Sequence, residues 1–177
     1  MALATSVEEY IGALEYLEKA ARERVCGGYD QMDLRIRPHP AMSLDAGLTR
    51  ASILHQDFFH PSEGSLADDL SWADVVIYAS STVGMEAVAR GIPVVYLDLG
   101  DFVNMDPMHG LDQLNWSVSE PNQLAIVLQE MDSLSEPEYI ERQRKGHQFV
   151  DNYFHPVTKE SLMLFLEPPG LPKSQVK

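Results

Sequence analysis

The sequence contains one cysteine, Cys26, so no disulfide can form within the chain and no multi-cysteine metal site exists. A reducing compartment suits that usage. Basic residues are scarce as well: 13 Lys and Arg stand against 27 Asp and Glu, for a net charge of −14. Such a surface repels a phosphate backbone, and nucleic acid is not expected as a partner. Any anionic ligand must be held locally, by amides, helix dipoles and a few Arg or His side chains. No stretch approaches the roughly 20 apolar residues of a membrane span, and Met1 to Ser6 lack the basic and apolar regions of a signal peptide. The expectation is a cytoplasmic protein. No HExxH, EF-hand, GxGxxG, P-loop or GxSxG pattern occurs, so no metal ligands are assigned and a serine hydrolase has little support.

What is present is enough for one domain with a real core: 177 residues, 45% of them hydrophobic. The most informative stretch runs from Trp72 to Asp98. Val75 to Tyr78 is a β-branched and aromatic run, the mark of a strand buried on both faces of a parallel sheet. Ala79-Ser80-Ser81-Thr82 follows and ends in a helix-capping residue. Thr82 to Arg90 reads as a helix, with Val83, Ala87 and Val88 able to face the sheet. Gly91 stops that helix, Pro93 opens the next element, and Val94 to Leu97 is a second buried strand.

Around this unit the pattern alternates. Residues 6 to 25 carry Val7, Tyr10, Ile11, Leu14, Leu17 and Ala21 at helical spacing, with Ser6 and Glu9 as a capping box, and Gly27-Gly28 as the stop. Met32 to Arg37 reads as a strand halted by Pro38-His39-Pro40. A helix over 44–50 and a strand over Ser52 to Gln56 follow, then a loop from Asp57 to Gly64 and a short helix over Ser65 to Leu70. A loop spans Leu99 to Gly110, Leu114 to Val118 is a short strand, and helices fall at 121–132, 136–153 and 157–166. The fold expected is α/β: a Rossmann-like parallel sheet of about five or six strands, helices on both faces, in a single domain over 1–166 with an unstructured tail at 167–177.

In such a sheet, ligands sit beyond the carboxyl ends of the strands. Three predicted strand ends therefore belong to one edge: Pro38-His39-Pro40, Ala79 to Thr82, and Asp98 to Asp101. Ser80, Ser81 and Thr82 could bind phosphate through hydroxyls and backbone N–H groups, although capping alone explains one hydroxyl. Gly84 lets a ligand approach the first helical turn closely. Glu86, one turn after Thr82, is placed to accept ribose hydroxyls, against the plainer reading of a solvated helix residue. His39 could bond or protonate a leaving phosphate, although a lone His is more often structural. Arg37 is a candidate for the same site, and Arg35 for an ion-paired surface group. Asp98 and Asp101 flank Gly100 and either contact a sugar or form a turn. His60-Pro61 and His155-Pro156 read as loop or helix-start punctuation.

Together these residues resemble the C-terminal, nucleotide-sugar-binding half of a GT-B-fold glycosyltransferase. "SSTVGMEAVARGIPVVYLD", Ser80 to Asp98, is similar to the small-hydroxyl, Gly-x-Glu-Ala, Gly-x-Pro-Val-Val pattern of those enzymes. "IRPHP", Ile36 to Pro40, resembles the His-Pro motif of bacterial sialyltransferases, Kdo transferases and related capsule-polysaccharide enzymes. The resemblance implies that His39 stabilises the departing phosphate, Ser80 and Ser81 bind it, and Glu86 holds or lies near the ribose. It implies a nucleotide-sugar substrate, a CMP-sugar being one candidate, with no resident cofactor and no tightly bound metal. It also implies an N-terminal acceptor domain or a partner subunit, which would supply the catalytic base and any association with the inner membrane. A nucleotide-sugar epimerase and a polyol-phosphate transferase share the architecture. From another class, the chain could be a non-catalytic interaction module, its surface formed by the helix at 6–25 and by exposed Met105 and Met108.

Overall fold

The computed structural model describes residues 6–24, 33–38, 42–54, 58–100, 104–154 and 157–166. His39, Pro40, Asp101, Gly27-Gly28, His155-Pro156 and the tail at 167–177 lie outside the described residues. The helices are α1 (Val7–Arg24), α2 (Leu44–Arg50), α3 (Leu66–Trp72), α4 (Val83–Val88), α5 (Pro121–Asp132), α6 (Glu136–Asp151) and α7 (Lys159–Leu166). The strands are β1 (Arg35–Ile36), β2 (His60–Pro61), β3 (Val76–Tyr78), β4 (Val94–Leu97) and β5 (Asn115–Val118).

Every described strand pairing is parallel. Among the described residues the strands form two parallel sheets, β1–β2 and β3–β4–β5. In the larger sheet Val76, Ile77 and Tyr78 pair with Val94, Val95 and Tyr96, and those with Asn115, Trp116 and Ser117. The beginnings of β1 and β3 are neighbours, since Asp33 to Arg35 and Val75 to Ile77 line one cavity of about 50 Å³.

The period of two along each strand splits the core in two. Ile77, Val95, Leu97 and Val118 pack with Ile36 beneath α1, α2 and α5, through Tyr10, Leu14, Leu17, Leu48 and Leu124. Val76, Tyr78, Val94 and Tyr96 face the other way, onto Leu70 of α3, Val83, Ala87 and Val88 of α4, and Val150 of α6. Helices therefore cover both faces, as the buried strand patterns require. β4 is buried at all four positions.

The helix expected over Thr82 to Arg90 is shorter, Val83–Val88, and the turn after it passes through Gly91 at φ +77, which a side chain would strain. Its carbonyl accepts from Tyr139 Oη at 3.0 Å and Gln143 Nε2 at 2.9 Å, which fastens the end of α4 to α6. In the connection from β4 to β5, the described residues, 98–100 and 104–114, contain no helix. Met108, Leu111 and Leu114 of that connection are buried against the α4 side of the sheet, where a crossover helix would otherwise lie. At the edge formed by β5, Trp116 Nε1 donates to Glu130 Oε1 at 3.1 Å, and the Arg142 guanidinium stands 5.2 Å from the Trp116 ring centroid.

Several expectations change. Of the strand expected over Met32 to Arg37, Met32 lies outside the described residues and Arg35–Ile36 forms β1. The segment Ser52 to Leu54 is a turn closing α2: Ser52 has φ 54, and the Ile53 N–H reaches back to the Leu48 carbonyl at 3.0 Å. Glu18 Oε1 takes the Leu54 N–H at 2.9 Å, so the helix end is held by α1 and that part cannot join a ladder. His60-Pro61, expected in a loop, is β2, paired with Arg35–Ile36. Met108 is fully buried, which removes it from any exposed surface, whereas Met105 is half exposed. Arg35 stacks 3.7 Å from the centroid of the Trp72 ring, a cation–π contact, and among the described residues it makes no ion pair.

Candidate functional site

Because β3 and β4 are parallel and in register, the segments after Tyr78 and Leu97 emerge at the same edge. After β3 the chain makes a tight turn, with the Ser81 N–H on the Ala79 carbonyl at 2.6 Å. Ser81 Oγ accepts from the Val83 N–H at 3.3 Å, so the side-chain bond at the start of α4 comes from Ser81. Thr82 holds the cap position with no side-chain capping bond, and it is exposed. Glu86 is also exposed on α4, between buried Met85 and Ala87.

Gly84 is buried, and its close approach is to the protein itself. A Cβ there would stand 2.8 Å from Met108 Cε and 3.0 Å from the Tyr78 ring. The space that the sequence suggested for a ligand against this residue is filled by those two side chains.

Ser80 is partly buried, and α1 reaches it through Glu9. Its N–H donates to Glu9 Oε1 at 3.0 Å, and its hydroxyl donates to the same oxygen. Glu9 was legible only as a capping residue, and its N–H does donate to Ser6 Oγ at 3.1 Å. Its carboxylate, however, reaches the end of β3.

Arg37 is committed to a network below β1. Nε and Nη2 reach Asp69 Oδ2 at 2.9 and 2.6 Å, and Nη2 also meets Ser62 Oγ at 3.2 Å and the Gly64 carbonyl at 2.7 Å. Burial alone would raise the Asp69 carboxyl. Hydrogen bonds from Ser62 and Arg37, with the guanidinium charge, outweigh it and hold that carboxyl below the ordinary aspartate range.

After β4, Asp98 is exposed and Oδ1 accepts the Gly100 N–H at 3.1 Å, so the turn reading of this residue is realised. Asp98 also lines a cleft of about 480 Å³, with Leu99, Gly100, Ser119 to Pro121 after β5, and Gly12, Glu15, Tyr16 and Lys19 of α1. That volume falls within the range of small-molecule sites. Ser119 and Glu120 offer no free amides to an anion, because both N–H groups donate to Gln123 Oε1, at 2.8 and 3.0 Å. Among the described lining residues Lys19 is the cation, and Glu15, Asp98 and Glu120 are acidic.

Sequence reasoning missed a second constellation beneath this edge. Asp106 is nearly buried and accepts from Tyr78 Oη at 2.5 Å, the Met108 N–H at 2.9 Å and Asn115 Nδ2 at 2.8 Å. Burial, then the hydrogen bond to Asp106, pushes the Tyr78 hydroxyl far above its ordinary value, so it stays a donor. Nothing in a loop rich in Gly, Asp and Asn distinguishes Asp106 beforehand, because a polar partner of a strand tyrosine has no periodicity. No group of acidic, His or Cys side chains able to hold a metal occurs among the described residues.

No protein-family model matches this chain, and no curated protein or solved structure matches it either.

Proposed function

We propose that this chain is the nucleotide-sugar-binding half of a GT-B-type glycosyltransferase acting in the cytoplasm on surface polysaccharide or glycoconjugate synthesis. The observation that carries the reading is the in-register parallel pairing of β3 with β4, which sets Ser80 to Thr82 and Asp98 to Gly100 at one edge. A cleft of about 480 Å³ opens at the ends of β4 and β5, beside that edge. Ligands of open parallel sheets bind at this edge. The shared core of Ile36 with Ile77, and the neighbouring starts of β1 and β3, support treating both sheets as one Rossmann-like layer.

In this reading Ser80, Ser81 and Thr82 receive the nucleotide phosphate, and Glu86, exposed on α4, receives ribose hydroxyls. His39, beyond the end of β1, meets the departing phosphate. A protonated imidazole there offsets negative charge as the glycosidic bond to phosphate breaks. Asp98 faces the sugar from the cleft. Arg37 acts indirectly, by fixing the end of β1 through Asp69. The acceptor and the base that activates it come from an N-terminal domain or partner subunit, so the chain binds a donor and does not transfer it unaided.

A thermal-shift panel of CMP, CDP, UDP, GDP and their sugars tests this. Stabilisation by one nucleotide class is the expected outcome, and His39→Ala should leave that stabilisation largely in place while impairing transfer in the assembled enzyme. Silence across the panel would overturn the reading in favour of an interaction module. Transfer by the purified 177-residue chain alone would overturn the need for an acceptor half.

A further inference from the structure

Glu9 and Ser80 are 71 residues apart in sequence, and the Ser80 N–H and hydroxyl converge on one carboxylate oxygen of Glu9. A backbone amide and a hydroxyl aimed at one oxyanion oxygen form a site of the chemistry that a phosphate would require, and here an internal carboxylate fills it. Ser80 directs its proton to Glu9, so an arriving phosphate meets lone pairs and a negative charge. The same helix continues along the strand ends: Gly12 lies against Leu99, and Tyr16 Oη donates to the Glu120 carbonyl at 2.6 Å. Residues 9, 12 and 16 follow the three- and four-residue spacing of one helix face. α1 is thus laid across the edge, with its first turn anchored by Glu9.

We propose that Glu9 is an internal stand-in for a ligand oxyanion, and that a phosphate monoester group binds by displacing its carboxylate from Ser80 and freeing the first turn of α1. This rests on the phosphate-binding reading of Ser80 and adds what controls that site. Two anions cannot share one pair of donors, so removing the Glu9 charge removes the competing anion and binding tightens.

The test titrates inorganic phosphate and methyl phosphate into the ¹⁵N-labelled 177-residue chain, as wild type, Glu9→Gln, Glu9→Ala and Ser80→Ala. Both Glu9 variants should bind about tenfold more tightly than wild type, the Ser80 amide resonance should move with occupancy, and Ser80→Ala should bind more weakly than either. Glu9→Gln keeps side-chain length and an acceptor oxygen, which separates charge from packing. Equal affinity in wild type and Glu9→Gln, or no binding by either Glu9 variant, overturns the proposal. In the wild type, amide exchange at Tyr10, whose N–H bonds the Ser6 carbonyl, should speed up as phosphate saturates; unchanged exchange at saturation also overturns it. CMP, UMP and GMP on the same proteins separate the two ideas. Equal nucleotide binding by wild type and Glu9→Gln removes the displacement and leaves the donor-site reading. Tightened phosphate binding with no nucleotide bound leaves the displacement and removes the nucleotide.

Discussion

The Tyr78 hydroxyl donates to Asp106 Oδ1 at 2.5 Å, joining the end of β3 to a loop 28 residues further along the chain. Asn115, at the start of β5, completes the triangle: Nδ2 donates to Asp106 Oδ2 at 2.8 Å, and Oδ1 lies 3.2 Å from Tyr78 Oη. The crossover between β4 and β5 is held on the sheet by this polar cluster as well as by the buried Met108.

Asp106→Ala should therefore cost about 3 kcal/mol, because a hydroxyl, an amide side chain and a backbone N–H lose their acceptor together. Tyr78→Phe removes a single donor and should cost about 1–2 kcal/mol. Urea denaturation of the two variants checks the ordering.

Tyr10 shows the opposite situation. Its ring is fully buried on α1 against α2, and its hydroxyl has no hydrogen-bond partner among the described residues. Tyr10→Phe should stabilise the fold by about 1 kcal/mol at neutral pH, since an unsatisfied buried hydroxyl is removed. Burial, with Asp45 nearby, raises the Tyr10 hydroxyl to about 12. Between its unfolded value near 10 and that value, the folded chain keeps a proton that the unfolded chain releases. Stability falls across this window as pH rises, and Tyr10→Phe should make the fall shallower in urea midpoints taken at pH 9 and 11.

Arg37 and Asp69 should behave as a unit. The pair joins β1 to α3 with Ser62 between them, and the Asp69 side chain is only 6% exposed. Removing either partner strands the other, so Arg37→Ala and Asp69→Ala should each cost about 3 kcal/mol and the double variant well short of the sum. The Asp69 carboxyl is depressed on folding, so its stabilisation is present above the ordinary aspartate value near 3.9 and is lost as pH falls through the lower folded value. A double-mutant cycle, repeated in acid, tests both statements.

At the start of α4, Ser81→Ala should lower stability by about 0.5–1 kcal/mol, because Ser81 supplies the bond to the Val83 N–H. Thr82→Ala should be near neutral, because Thr82 makes no capping bond. Thermal melts separate the two hydroxyls. A drop in nucleotide affinity for Thr82→Ala at unchanged stability would assign that hydroxyl to the ligand.

Gly84→Ala should cost about 1–3 kcal/mol through overpacking against Met108 and Tyr78. Chemical denaturation measures it. A cost near zero would mean that the Met108 methyl moves aside freely.

The β3–α4–β4 unit was legible because its signals are local: an apolar run, a hydroxyl turn, a glycine stop and a second apolar run, all between Trp72 and Asp98. α1, α2, α3, α5 and α6 declare themselves by periodicity and caps in the same way. β2 did not, because His60-Pro61 is exposed and gains strand geometry only from its pairing with Arg35–Ile36. Ile53 suggested a strand by residue type, yet the left-handed Ser52 beside it turns the chain back onto α2. At the site, strand ends fix where Ser80 and Asp98 stand. The partners of Ser80 and Tyr78 come from Glu9 and Asp106, distant in sequence and marked by no pattern. Long-range polar pairing is the part that a single sequence conceals.

The bracketing of Trp116 by Glu130 and Arg142 bears on how the chain behaves in concentrated solution. β5 is four residues long, and among the described residues only β4 pairs with it. A flat, uncharged strand in that place would be a template for another molecule's backbone. Here a charged pair from the following helices stands over the outermost aromatic ring, and a second strand approaching this border meets both. The same contacts that seat Trp116 thus oppose self-assembly through the sheet.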